Sequence, residues 1–180
     1  MSIVSEHGFR LDGRRPHQIR NISASLGTIR DAEGSAYFEQ GGTKILCAVY
    51  GPYEGKRSKQ LEDRCSDGSH LAACVNAASL AMSDAGIPMK GLVAAATCSI
   101  VDGQPVVDVN QREETDILPR LTLATLRGED EVVLVELQNR VHVDHLPALM
   151  AAAKDTCKGV HECICAAIVD QLENGAFFLR

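Results

Sequence analysis

The sequence predicts an α+β fold, a largely antiparallel sheet with packed helices, and three observations predict it. Short apolar runs of strand length are separated by turn signals such as Asp102-Gly103. Two longer segments repeat apolar residues at three- and four-residue spacing, and helices and strands do not alternate regularly. At 180 residues, 45% apolar and 23% charged, the chain has the composition of one globular domain spanning 1–180.

A polar leader runs to Arg15-Pro16. Ile19 to Ile29 then mixes β-branched and polar residues, as a strand does, and closes on the turn Asp31-Ala32-Glu33-Gly34. Ala36 to Glu39 and Thr43 to Tyr50 are two further strands joined at Gln40-Gly41-Gly42, the second apolar enough to be expected buried on both faces. Gly41-Gly42-Thr43-Lys44 has the composition of a phosphate-loop ending, but it joins two strands instead of opening a helix, so it reads as a hairpin turn. From Tyr53 to Ser69 almost nothing is suited to a core, which marks a surface loop.

Leu71, Cys74, Val75, Ala78 and Met82 recur at helical spacing, with Ser69 as the expected N-cap and Gly86 as the stop. Leu92 to Val101, Val106 to Val109, Leu121 to Leu126 and Val132 to Leu137 then predict four antiparallel strands. The last element is a long amphipathic helix expected to lie across a sheet, with Asp144 as cap, Pro147 in its first turn and Asn174-Gly175 at its end.

Lys and Arg number 18 against 24 Asp and Glu, and the net charge of -6 gives no general attraction for phosphate. Seven cysteines, an odd count lying mostly in apolar runs, predict core thiols in a reducing compartment without a disulfide framework. Cys163 and Cys165 lack the spacing of a zinc pair, and no metal site is expected. The six histidines form no HExxH or nucleophile arrangement and are assigned no catalytic role. Arg14 and Arg15 read either as phosphate contacts or, by preference, as structural residues that pair with acidic neighbours or fix an exposed leader. Without a signal-like apolar stretch or an eighteen-residue apolar window, the chain is expected to be soluble and intracellular.

Three stretches occur in order: Gly8-Phe9-Arg10-Leu11-Asp12-Gly13-Arg14-Arg15-Pro16; Gly34-Ser35-Ala36 through Gly41-Gly42-Thr43-Lys44; and Ala72-Ala73-Cys74-Val75-Asn76-Ala77-Ala78 leading to Asp84-Ala85-Gly86-Ile87-Pro88-Met89. Together they resemble the RNase PH family, with Gly42 standing where that family commonly carries Asn. The resemblance implies an RNase PH domain of the ribosomal protein S5 domain 2-like type, here incomplete. Between Cys65 and Ser66 a strand-helix-strand block expected from the family is missing, and with it arginines that in the family hold phosphate and the RNA end.

The resemblance also implies a site. Asp108 resembles the family aspartate near the scissile phosphate, and Glu114 stands six residues on, so both are vestigial candidates, with no active catalytic residue expected. Phosphorolysis brings two anions together and needs arginines, amides or a metal ion to offset their repulsion, which carboxylates alone do not supply. Asp102, Asp108, Glu113, Glu114 and Asp116 read either as a solvated acidic loop or as the remnant of a Mg²⁺ site. Lys56, Arg57, Lys59 and Arg64 fall where the family contacts single-stranded RNA, and a solvated loop accounts for them equally.

The implied function is a non-catalytic core-ring subunit of the RNA exosome, scaffolding and guiding RNA in 3′ to 5′ processing and decay of ribosomal and messenger RNA. Its implied partners are an RNase PH-type subunit of the ribosomal-RNA-processing forty-five kind, the other ring and S1/KH cap subunits, and single-stranded RNA, with no membrane. No cofactor is expected; Mg²⁺ and phosphate enter only under the alternative of a phosphorolytic 3′ to 5′ exoribonuclease. A further alternative is a non-assembling splice form or faulty gene model. The implied location is the nucleus, including the nucleolus, and the cytoplasm.

Overall fold

The computed structural model describes residues 4–5, 7–51, 69–113, 118–128 and 131–177. Strands β1 (Ile22–Leu26), β2 (Gly34–Gln40) and β3 (Thr43–Val49) form one antiparallel sheet in that order. Helix α1 (His70–Asp84) follows, then β4 (Val93–Val101), β5 (Gln104–Val107), β6 (Arg120–Leu126) and β7 (Val132–Gln138), which form a second antiparallel sheet in the order β5-β4-β6-β7. A 3-10 turn, Val143–His145, leads into helix α2 (Leu146–Phe177). The four strands expected after the first helix are therefore present, but the strands as a whole divide between two sheets. No helix among the described residues is long and apolar enough to cross a membrane.

The apolar stripe of α2 serves both sheets. Leu149, Ala153 and Cys157 pack on Cys98, Leu121 and Leu123 of the second sheet, while Val160 and Ile164 further along join Phe38, Leu80 and Ala81 against the first. Each large side chain so buried stabilises the fold by about 1.5–3 kcal/mol. The thiols of Cys98 and Cys157 are pushed up to about 12 and about 11 by burial, which keeps them protonated, inert core groups.

Helix α1 sits between the sheets, touching β2, β3 and β4. Its small side chains permit close approach on both sides. Gly34 opens β2 against the end of this helix, where a side chain would collide with the backbone of Ala81 and Ala85. Beside it, Asp84 Oδ2 accepts the Ser35 backbone N–H at 2.8 Å.

The buried polar residues of α1 have a specific task. Strand β5 pairs with β4 only over Cys98–Val101, so the first half of β4 lacks a strand partner on that side. Asn76 takes the strand's place: its Oδ1 accepts the Ala95 N–H at 2.7 Å and its Nδ2 donates to the Ala95 carbonyl at 3.0 Å. Ser79 Oγ accepts the Val93 N–H at 3.0 Å. An unpaired buried backbone group costs about as much as a lost hydrogen bond, so these side chains complete the sheet.

Four sequence expectations are corrected. The strand from Thr43 is not buried on both faces: β3 is an edge strand, with Lys44 and Leu46 exposed and Ile45, Cys47 and Val49 half-buried toward the core. Ser69 makes no side-chain cap, because its Oγ donates instead to the Val109 carbonyl at 3.0 Å. Asp144 lies within the 3-10 turn and does not cap α2, although Pro147 does fall in the first turn. The helix runs through Asn174-Gly175 to Phe177, since one glycine costs a helix only about 1 kcal/mol and does not by itself end it.

Replacing Asn76 by Ala strands both polar groups of Ala95. The variant is expected to lose about 2–3 kcal/mol of stability in urea unfolding, with an unchanged m-value.

Candidate functional site

The first twenty residues carry Arg10, Arg14, Arg15 and Arg20 against two acids, Glu6 and Asp12, so guanidinium groups among them have to find carboxylates elsewhere. They find them at the end of β5. The leader bends through an isolated bridge between Val4 and Arg10, and the Val107 N–H donates to the Pro16 carbonyl at 2.8 Å, laying residues 10–20 against that strand end.

Asp108 lies at the centre. It follows β5 in a left-handed conformation, φ 51°, which turns the chain away from β4 after its N–H has donated to the Thr97 carbonyl at 2.7 Å. Arg20 donates its backbone N–H and Nε to Asp108 Oδ2 at 2.7 and 3.0 Å and its Nη2 to Oδ1 at 2.8 Å. The Asp108 side chain is 2% exposed, and Arg14 Nη1 stands 3.5 Å from Oδ2. Burial pushes the Asp108 carboxyl up, but the hydrogen bonds and charge of Arg20, with the charge of Arg14, outweigh it and hold the group below its ordinary value.

A second pair lies deeper. Arg10 donates Nε to Glu113 Oε1 at 2.8 Å, pairs again through Nη2 and Oε2, and donates Nη1 to the Val107 carbonyl at 2.6 Å. Both side chains are fully buried. Asn110 organises the loop between them: its Oδ1 accepts the N–H groups of Arg112 and Glu113, and its Nδ2 donates to Asp12 Oδ2 at 3.0 Å. Burial raises the Asp12 carboxyl, and the Arg14 hydrogen bonds overcome this to leave it lowered.

Gly41 closes the arrangement. It occupies the β2–β3 turn at φ 59°, and a side chain there would run into Arg20. The hairpin-turn reading of Gly41-Gly42 holds, and the same turn makes room for a buried arginine. An open cleft of about 330 Å³ lies above, lined by Asp12, Arg20, Gly41, Gly42, Asn110 and Arg112.

Of the sequence-derived site residues, Asp108 and Glu113 are the ones the structure describes at this point, and Glu113 is fully buried against Arg10 instead of lying in a solvated loop. Glu114, Asp116, Lys56, Arg57, Lys59 and Arg64 lie outside the described residues. Asp102 sits in the β4–β5 turn, at the opposite end of β5 from Asp108. Among the described residues no three His, Cys, Asp or Glu side chains are grouped to hold a metal ion. Arg14 is a structural partner as expected, whereas Arg15 is exposed. Arg10 and Arg20 are the site residues that sequence reasoning passed over; the arginine excess of the first twenty residues was the available signal.

Two predictions follow from this geometry. Asp108→Ala leaves Arg20 buried without its carboxylate and is expected to cost about 3–5 kcal/mol in denaturant unfolding. Because the folded carboxyl lies below the unfolded value of about 3.9, the contribution of Asp108 is complete at neutral pH and is lost as pH falls through the folded value. Stability measured from about pH 7 to about pH 2 should therefore fall less steeply in Asp108→Asn than in the parent chain.

Residues 18–66 match the family model described as 3′ exoribonuclease family, domain 1, and residues 91–156 match domain 2 of the same family. The chain is 50% identical, over an alignment of 230 residues covering 95% of each, to the putative exosome complex component RRP41 of Caenorhabditis elegans. It is 34% identical to exosome complex component RRP41 of Mus musculus, covering 89% of this chain and 91% of that one. Among solved structures, rice Rrp46 superposes with a TM-score of 0.77 at 22% identity, covering 86% of this chain and 97% of that one, a likeness of fold.

Proposed function

The chain belongs to the RNase PH family of 3′ exoribonucleases, and we propose that within it this protein is a non-catalytic core-ring subunit of the RNA exosome. Relatives named as exosome component RRP41 support the assembly. The observation that carries the non-catalytic reading is the engagement of Asp108: both carboxylate oxygens accept from Arg20, and Arg10, Arg14 and Arg20 are each held by carboxylates or carbonyls. A site for phosphorolysis has to offer uncompensated positive charge to two anions. Here the buried charges compensate one another.

The alignment to the nematode relative is longer than the 180 residues of this chain, so that relative has residues without a counterpart here. In this reading the difference is the block expected between Cys65 and Ser66, together with its arginines. In this proposal the chain pairs with an RNase PH-type subunit of the ribosomal-RNA-processing forty-five kind beneath S1/KH caps. Lys56, Arg57, Lys59 and Arg64 meet the RNA backbone, and the complex works in the nucleus, nucleolus and cytoplasm on ribosomal and messenger RNA.

The test is co-purification with that partner, light scattering on the eluted complex, and incubation with 3′-tailed RNA and inorganic phosphate. A stable complex that releases no nucleoside diphosphates is expected. Diphosphate release would replace the scaffold reading with the phosphorolytic one, and aggregation with no complex would mark a non-assembling form.

A further inference from the structure

The dipeptide Asp-Gly occurs three times in the chain, at Asp12-Gly13, Asp67-Gly68 and Asp102-Gly103. In this dipeptide the backbone readily attacks the preceding side chain, because glycine places no Cβ in the way of its own nitrogen. Asp67-Gly68 lies outside the described residues, and the other two stand in opposite settings.

Asp12-Gly13 is tied down on both sides of the bond that would form. Asp12 Oδ2 accepts from Arg14 Nε at 2.7 Å and from Asn110 Nδ2 at 3.0 Å, and Oδ1 accepts the Arg14 N–H at 3.2 Å. The Gly13 N–H, which carries the attacking nitrogen, donates to the Arg10 carbonyl at 3.0 Å. Attack by that nitrogen on the Asp12 carboxyl would have to disrupt these bonds together.

Asp102-Gly103 is open. It forms the two-residue turn between β4 and β5, closed by the pairing of Val101 with Gln104. Both residues are exposed, and among the described residues no group bonds the Asp102 carboxylate or the Gly103 N–H. The nearest atom to the position of a side chain on Gly103 is His145 Cε1, at 3.6 Å, which is ordinary contact. Asp102 stands at φ 51°, a left-handed conformation that is costly for a residue with a side chain, so rotation out of the turn relieves strain. β5 has only four residues with which to hold the hairpin closed against that rotation.

We propose that Asp102-Gly103 is a site of isoaspartate formation in the folded chain, and that Asp12-Gly13 is not. When the turn opens, the Gly103 nitrogen bonds to Asp102 Cγ, and a carboxyl oxygen leaves as water, taking the acid's proton and the amide hydrogen. Water then adds to the cyclic imide. Addition at Cγ restores aspartate, and addition at the backbone carbonyl leaves the chain running through Cγ, as isoaspartate. One water is lost and one regained, and nothing is oxidised or reduced. The product has one more carbon in the backbone of a two-residue turn. At the far end of β5, Asp108 stays anchored by Arg20 and by the Thr97 carbonyl, so the change falls on the Val101–Gln104 closure and not on the arginine cluster. The α-carboxylate it displays is the substrate class of a protein carboxyl methyltransferase that uses S-adenosylmethionine. This inference uses the turn alone and does not rest on the exosome reading.

The test incubates the full chain at neutral pH, folded and in parallel in concentrated urea, and maps tryptic peptides by electron-transfer fragmentation. Residues 91–112 carry Asp102 and residues 11–14 carry Asp12 on separate peptides. In the folded chain isoaspartate is expected to accumulate in 91–112 at Asp102 and to stay at background in 11–14. In urea, where the hydrogen bonds of Asp12 are gone, both peptides are expected to gain it at similar rates. Asp102→Glu, a change at an exposed turn position, is expected to abolish the product in 91–112, because glutamate would have to close a larger ring. Absence of isoaspartate at Asp102 in the folded chain overturns the proposal, as does its formation at Asp12 equally fast, or its persistence in 91–112 of the Asp102→Glu variant. None of these readouts involves RNA, phosphate or a partner, so failure here is distinct from failure of the proposed function.

Discussion

The structure depends on one buried exchange of charge, the hydrogen bonds between Arg20 and Asp108. Two ions removed from water cost several kcal/mol each, and their attraction offsets this only when nearly every donor and lone pair is matched. That demand reaches into three separate segments. Asp108 turns left-handed at the end of β5, Gly41 gives up a side chain in the β2–β3 turn, and the Arg20 backbone itself donates to the carboxylate. Arg10 and Glu113 repeat the pattern one layer deeper. The leader is thereby bound into the core although it contributes no regular strand of its own.

Polar groups solve a second problem in the same way. A sheet whose edge strand is too short leaves backbone groups without partners, and β4 would be left so beside β5. Asn76 and Ser79 on α1 supply the missing donor and acceptors. Between them, the ion pairs and the asparagine tie the first sheet, the helix and the second sheet into one packing problem, and the alanines of α1 permit the approach that these hydrogen bonds need.

The functional reading follows from how charge is distributed. In this member of a 3′ exoribonuclease family Arg10, Arg14 and Arg20 turn inward, onto the chain's own carboxylates, while Arg15 stays exposed. Such a cluster specifies the position of the leader, and the charges within it compensate one another.

Much of the fold was legible in the sequence, because strand alternation, turn dipeptides and helical spacing are local properties. The segments from Leu92 to Leu137 read as four antiparallel strands and Gly41-Gly42 as a hairpin turn, and both are so; the apolar stripe read from Leu149 to Leu172 is buried as far as Ile164, with Ile168 half-buried and Leu172 exposed. The ordered motifs of the leader, the β2–β3 hairpin and α1 were enough to reach the family. What only the tertiary structure decided were the long-range partnerships. Thr43 to Val49 is as apolar as a central strand, yet it stands at an edge, because neighbours in a sheet are set by topology and not by composition. Ser69 has the residue type of a cap and bonds Val109 instead. Asp108 was reached through the family resemblance, as a vestigial candidate with no active role expected. Its engagement came from Arg20, 88 positions away, at a separation over which no local pattern operates.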